Sequence, residues 1–378
     1  MGIHVIVMER GSFIGKKSER LVVRHRPDAS ADAGGQGDGR SGPGAHGPRG
    51  AARDAPPSPA TSPARFPAGA VEEFALADIE QVTVDGMGVS ISTDAIYECM
   101  ERGIQFNLLT GTGQPYAKVS APTLTATVAT RREQVLAFLD TRGVAFAKAV
   151  VDGKLRNQAA VLKYFARHRK RADKAAYDRI REAAAAIDDV RGELNGIDGP
   201  RIDAVREQLL SIEGRAARVY WEFVRALVPE ALEFAGREHR GATDPLNAML
   251  NYGYGILYSQ VWGALVLAGL EPFAGFLHVD RPGKPSLVLD CVEEFRQQVV
   301  DRPLLGAVAK GYRPKMDEGR LALEARREVA RRVLDRLEAH ERYEGQHCRL
   351  RVIMQRQARH LAMFLRGERD YRPFVGWW

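Results

Sequence analysis

From Leu124 onward nearly every stretch of this sequence spaces its apolar residues at the period of a helix, and before that point almost none does. The stretches "LTATVATRREQVLAFLDTRG", "GKLRNQAAVLKYFARHRKRADKAAYDRIREAAAAIDDVRGEL" and "RIDAVREQLLSIEGRAARVYWEFVRALV" read as helices. So do "GRLALEARREVARRVLDRLEAHERYEG" and "CRLRVIMQRQARHLAMFLRG". Residues N-terminal to Leu124 alternate instead. "HVIVMERGSFIGKKSERLVVRH" has the pattern of a hairpin with a turn near Gly11, and "IQFNLLT" and "GQPYAKVS" read as two more strands. A short helix is expected between them, capped by Thr93 and closed by Gly103. The expected fold is therefore α+β. Residues 1–121 form a small β-rich domain, and residues 122–378 a larger all-α domain. No internal repeat is present.

The β-rich region is interrupted. Residues 27–67 are nearly all Ala, Gly, Pro, Ser, Asp and Arg, with Phe66 the only aromatic. Such a segment buries too little apolar area to offset the entropy of ordering it, so it is expected to be disordered. Strand alternation resumes at "AVEEFALADIEQVTVDGMGVSIST". The cost of closing a loop grows slowly with its length, so a fold can carry such an insertion.

With 378 residues, 45% of them apolar, there is material for two domains. The net charge of +7 suits a polyanionic partner without requiring one. Cys99, Cys291 and Cys348 lie far apart with no CxxC spacing, which argues against a cysteine zinc site or a disulfide framework and for a reducing, cytoplasmic setting. "MGIHVIVMERGSF" is not a secretory signal. The uncharged run Tyr252–Leu270 touches the lower length limit of a membrane span, but its tyrosines, Ser259, Gln260 and glycines favour a buried helix, and no membrane role is expected.

Four places carry candidate chemistry. In "SIEGRAARVYWEF", Ile212, Ala216, Val219 and Phe223 mark a core-facing stripe, and Glu213 stands at its edge. Gly214 follows inside the helix, where Gly costs about 1 kcal/mol relative to Ala, a cost that close approach of a backbone or ligand would explain. The bland reading of Glu213 is a boundary carboxylate. In "GFLHVDRPGKPSLVLDCVEEFR", His278 ends an apolar run assigned to the preceding helix, and Asp290 and Glu293 follow at i, i+3 on a new helix. Glu294 competes for the same role. The bland reading is a core-edge histidine with solvated acids. The sharper reading is oxygen ligands plus one nitrogen, a set that suits Mg²⁺ or Mn²⁺, with the nitrogen favouring Mn²⁺. In "REHRGATDPLNAMLNYGYGILY", Arg237 and Arg240 precede a helix start at Asp244-Pro245, and Asn247, Asn251 and Tyr254 share a face. These polar groups either bond one another or hold site groups and phosphates. The basic run "KYFARHRKRADK", including Lys170 and Arg171, is either a solvated face or a phosphate contact.

The stretches "LLSIEGRAARVYW", "DPLNAMLNYGYGILY", "GFLHVDRPGKPSLVLDCVEEFR" and "YRPFVGWW", in this order, resemble the universal CRISPR adaptation endonuclease and integrase, the first-numbered of the Cas proteins. "VIVMERGSFIGKKSERLVV" and "ADIEQVTVDGMGVSISTDAI" fit the β domain of that family, so the resemblance spans the chain apart from residues 27–67. It implies Glu213, His278 and Glu293 as metal ligands, with Asp290 as a ligand or as the group that orients one. Many members carry Asp where this chain has Glu293. It also implies a homodimer formed through the β domain, a small ferredoxin-like partner that is the second-numbered Cas protein, and double-stranded DNA, protospacer and CRISPR repeat, as substrate. The reaction implied is metal-dependent transesterification joining 3′-hydroxyl ends of foreign DNA to the repeat, with nuclease activity when water replaces the hydroxyl. A stand-alone DNase of branched-DNA repair and a catalytically silent DNA scaffold are the rival readings.

Overall fold

The computed structural model describes residues 3–25, 70–121, 128–167, 173–238 and 243–376. The expected insertion at 27–67, and Lys170, Arg171 and Arg240, lie outside the described residues.

The N-terminal part is built from β1 (Ile3–Val7), β2 (Phe13–Lys17), β3 (Arg20–Arg24), β4 (Val71–Ala75), β5 (Ile79–Asp85), β6 (Ser90–Ile91), α1 (Thr93–Glu101), β7 (Gln105–Leu109) and β8 (Pro115–Val119). Two four-stranded sheets result, with strand orders β1-β5-β7-β8 and β4-β3-β2-β6. Val5, Val7, Val82, Val84 and Phe106 of one sheet meet Ile14, Leu21 and Val23 of the other in a small apolar core. The ladder of β3 and β4 pairs Arg24 with Val71, so the two ends of the intervening segment are held side by side. α1 is capped by the Ser92 side chain, which accepts from Ala95 N–H, one residue before the expected Thr93.

The first sheet is buried on its other face too, but that face is polar. Thr83, Asp85, Gln105 and Asn107 are buried against the helices, and His4 beside them is half-buried. Tyr252 Oη donates to Asp85 Oδ2 at 2.6 Å, and Arg326 Nη1 does so at 3.1 Å. At Gly255 a Cβ would stand 1.6 Å from Gly113 O, so the turn between β7 and β8 sits directly on helical backbone.

The helical part runs α2 (Val128–Ala137), α3 (Thr141–Arg167), α4 (Lys174–Gly192), α5 (Arg206–Leu227), α6 (Pro245–Leu267), α7 (Ser286–Val292), α8 (Arg302–Ala309), α9 (Leu323–Glu338) and α10 (Leu350–Leu365). α6 is the central helix, buried on nearly every side, with Asp244 accepting from Asn247 N–H at its start and Pro245 in its first turn. Among the described residues no helix is long and apolar enough to cross a membrane. The α+β architecture is the one the periodicity implies, with two corrections. The first segment is not one hairpin turning near Gly11: β1 lies parallel to β5 in one sheet, and the hairpin is β2 with β3 in the other, turning at Ser18 and Glu19 between Lys17 and Arg20. Two short hairpins interrupt the helical part, β9 (Met316–Asp317) with β10 (Arg320–Leu321), and β11 (His340–Tyr343) with β12 (Gln346–Arg349). The helix expected from the periodicity extends through "HERYEG", and the structure ends it sooner. The chain turns there because Glu344 and Gly345 both adopt positive φ, as a tight hairpin turn requires.

Candidate metal and DNA site

The site is assembled where α3, α5 and the segment after α6 meet. Residues 286–309 do not make one regular helix. α7 ends at Val292, Glu293 N–H bonds Asp290 O and Phe295 N–H bonds Val292 O, so the backbone is wound tightly through both glutamates. It then widens to a π-helical turn at Gln297–Asp301, with Arg302 N–H reaching Gln297 O. Pro303 has no N–H to give to Val299 O, which favours the wider turn. This winding aims Glu293 and Glu294 in different directions.

His278 is not at a helix end, as expected, but in the irregular segment that follows α6. Asp290 explains how it is held. This fully buried carboxylate accepts from the backbone N–H groups of Phe276 (2.7 Å), Leu277 (3.0 Å) and His278 (2.9 Å). His278 Nδ1 stands 2.7 Å from Asp290 Oδ1. A carboxylate among so many donors is an acceptor, so Nδ1 carries the proton and Nε2 keeps its lone pair. That is the arrangement of a histidine prepared to bind a metal through Nε2.

Glu213 on α5 and Glu293 converge on one cation, the ammonium of Lys154 on α3. Lys154 Nζ pairs with Glu213 Oε1 and lies 2.6 Å from Glu293 Oε2. Arg296 Nη1 donates to the other oxygen, Glu293 Oε1, at 2.8 Å. Burial alone would push the Glu293 carboxyl up; the Arg296 guanidinium and the Lys154 ammonium overturn that and hold it well below the usual carboxylate range. Burial likewise works against the charge of Lys154, and Glu293 and Glu213 more than restore it. Gly214, beside Glu213, has nothing within 4 Å of where a Cβ would stand, so no protein backbone approaches it.

Among the described residues no three His, Cys, Asp or Glu side chains are drawn together as a finished metal cluster. The donor chemistry nevertheless fits a divalent ion. Two carboxylates already gather on a positive charge, and buried Glu293 Oε2 meets that charge as a close ion pair outside ideal hydrogen-bond angles. Glu294 is not part of this set. It points the opposite way, accepting from Gln357 Nε2 (2.8 Å), Phe374 N–H (2.8 Å) and Tyr371 Oη. Burial pushes its carboxyl up to about 7, against the pull of those three donors.

A cleft of about 1570 Å³ opens between β8, α6 and the turn before α7. Lys118, Arg237, Arg281, Lys284, Arg296 and Arg320 line it, against a single carboxylate, Glu318, among the described residues. Trp262 and Phe273 pack edge to face at its wall. Arg296 belongs to both cleft and site, and its guanidinium lies 4.3 Å from the centre of the Tyr254 ring. Arg237 is held by Asn247 Oδ1 (2.9 Å) and Asn251 Oδ1 (2.6 Å), so the asparagines of α6 hold an arginine rather than each other. Below it Asp301 accepts from Tyr220 Oη at 2.9 Å and from Tyr254 Oη, in a fully buried network. Lys163 is paired with Asp188 at 3.1 Å.

Lys154 is not among the residues that the sequence singles out. Its signal is there: it falls between Val150 and Gln158 on the buried stripe of α3, a lone charge at core spacing. Tyr220 and Asp301 carry no comparable signal, because each sits in an ordinary amphipathic stretch.

The family model for CRISPR associated protein Cas1 matches residues 66–335. The CRISPR-associated endonuclease Cas1 1 of Archaeoglobus fulgidus is 40% identical over 313 residues, covering 80% of this chain and 90% of the relative. Among solved structures, a casposase bound to integration product superposes with a TM-score of 0.75 at 21% identity, over 99% of this chain and 93% of that one. A Cas6-RT-Cas1–Cas2 complex gives 0.69 at 18% identity, over 99% of this chain and 36% of that one. At those identities the solved structures speak for the fold alone. The family model and the Archaeoglobus relative go further, and on them the chain belongs to the Cas1 family of CRISPR-associated endonucleases.

Proposed function

We propose that this Cas1 chain is the integrase of CRISPR adaptation, and that Glu213, Glu293 and the free Nε2 of His278 hold its divalent metal, Mg²⁺ or Mn²⁺. The observation that carries this is the convergence of Glu213 and Glu293 on one positive charge, beside a cleft lined by Arg237, Arg281, Lys284, Arg296 and Arg320. Asp290 is the orienting group rather than a ligand, because its oxygens are already taken by three backbone N–H groups and His278 Nδ1. A bound divalent ion would polarise the target phosphate and stabilise charge on the entering and leaving oxygens.

The chain's own groups do the rest. Arg237, Arg281, Lys284, Arg296 and Arg320 hold phosphates of a strand lying in the cleft. Trp262 and Phe273 offer ring faces on which bases stack. The 3′-oxygen of one DNA end forms a bond to phosphorus as the bond from phosphorus to a 3′-oxygen of the repeat breaks, and the proton of the attacking hydroxyl ends on a departing 3′-hydroxyl. One ester replaces another, so no nucleotide triphosphate is needed. The partners proposed are protospacer and repeat DNA, a second copy of this chain through the β-rich part, and Cas2. Support comes from the neighbours, one solved with an integration product and another together with Cas2. Three free, buried cysteines fit a reducing cytoplasm.

Strand transfer tests this. The protein, with and without Cas2, is given a short duplex with 3′-hydroxyl ends and a supercoiled plasmid carrying a repeat array, in Mg²⁺, Mn²⁺ or EDTA. Metal-dependent joining that is lost in His278→Ala is the expected result. Nicking without joining would favour the repair nuclease, and DNA binding without chemistry in any metal would favour the scaffold.

A further inference from the structure

Lys154 stands where the proposed metal would have to stand. Its ammonium is hydrogen-bonded to Glu213 and lies 2.6 Å from Glu293 Oε2, where the contact is an ion pair outside ideal hydrogen-bond angles. The lysine supplies charge there without direction. Arg296 differs. It makes a directed bond to Glu293 Oε1 and packs on the Tyr254 ring, so it is fixed from two sides. A lysine is a point charge on a flexible four-carbon stem, while an arginine is a planar fork committed by its geometry. Of the two cations on Glu293, Lys154 is the one built to leave.

Two carboxylates this close, Glu213 half-buried and Glu293 buried with side-chain exposures of 21% and 6%, repel each other unless a cation lies between them. A monovalent ammonium answers part of that charge. A divalent ion answers more, and takes up directly the oxygen that Lys154 holds only as an ion pair. We infer that Lys154 is the resident counter-ion of the site: it holds Glu213 and Glu293 together in the metal-free protein and is displaced when the metal binds. The inference rests on the metal reading of Glu213, His278 and Glu293 given above.

The test reads metal affinity and stability of the DNA-free protein, not turnover. Mn²⁺ is titrated into wild type and Lys154→Met by calorimetry, and thermal unfolding is followed in EDTA and in Mn²⁺. Removing the competitor should tighten Mn²⁺ binding by about tenfold or more, lower the melting temperature in EDTA, and enlarge the rise in melting temperature on adding Mn²⁺. Equal affinities within twofold, or weaker binding by Lys154→Met, would overturn the inference while leaving the metal reading standing. Absence of Mn²⁺ binding by both proteins would bring down both. A wild-type measurement covers the case in which the variant does not fold. Acetylation of Lys154 by an amine-reactive reagent, read by mass spectrometry, should quicken severalfold when Mn²⁺ is added, and an unchanged rate would count against displacement.

Discussion

Glu293 and Glu294 are consecutive residues with opposite surroundings. Glu293 looks forward to Lys154, Arg296 and the cleft, and is held ionised by cations. Glu294 looks back to Gln357, Tyr371 and the backbone of Phe374, and is held by neutral donors that leave its carboxyl near 7. The rear face is also the better built. Phe295 stacks on Phe374 at 5.2 Å, Asn157 Nδ2 donates to the carbonyls of Glu294 and Phe374 at 2.9 Å each, and Gly376 N–H returns to Asn157 Oδ1 at 2.8 Å. A Cβ on Gly153, next to Lys154, would stand 2.6 Å from Pro373, so the segment 371–376 runs tight against α3. The difference separates two kinds of surroundings: the front face balances its carboxylate against mobile and fixed cations, and the rear face gives Glu294 neutral hydrogen-bond donors that anchor the segment.

Four substitutions or titrations break or sharpen that division. Glu293→Gln should remove metal-dependent joining to the background of the assay, while circular dichroism still shows a folded helical protein. The loss should exceed the roughly hundredfold upper range for partners that only orient a ligand. Glu294→Ala should instead act through stability, costing about 3 kcal/mol or more in denaturant titrations because Tyr371, Gln357 and Phe374 N–H lose their acceptor. A variant that stayed as stable as wild type but lost joining would erase the distinction between the faces.

Of the two glutamates, Glu294 is the one that makes stability depend on pH near neutrality. A carboxyl raised to about 7 in the folded protein binds its proton more tightly there than in the unfolded chain. Its contribution is fully present below pH of about 4.5 and is lost as pH rises to about 7, an effect on the order of 3 kcal/mol. Glu294→Gln should flatten this part of the stability-pH curve, and Glu293→Gln should not. The smallest effect is expected of Asp290→Asn. It retains one acceptor oxygen for the loop but no longer fixes the proton on His278 Nδ1, so Mn²⁺ affinity should fall roughly 10–100-fold. No change there would mean that the ring is positioned by packing alone.

The strands and long helices were legible because period follows burial: Val5 and Val7 alternate inward, and α6 is apolar all round because it is buried all round. Glu213, His278, Asp290 and Glu293 were legible as residue types in motifs. What spacing could not convey was direction. Asp290 and Glu293 at i, i+3 implied a common focus, but the tight and then wide winding of 293–301 sends Asp290 to the His278 loop and Glu293 to Lys154. The hairpin of β11 and β12 was hidden because its apolar spacing continues that of α9. Lys154 was hidden because a cation on a core stripe has meaning only once its partners, 59 and 139 residues away, are in place.

The winding of this segment also sets how the gene can change. Each residue of a helix turns it by about 100°, so deleting or inserting one codon between Asp290 and Arg296 would turn one glutamate toward the position of the other. A carboxyl accustomed to neutral donors would face the cations, and an apolar neighbour would face the tail. No point substitution elsewhere in the segment exchanges the two faces in this way. Between Arg24 and Val71, ladder partners in the sheet, the same chain carries dozens of residues of low complexity. In-frame length variation is thus tolerable at one address and ruinous at the other, and an epitope or reporter domain placed within 27–67 is the insertion that leaves Glu213 and Glu293 where they are.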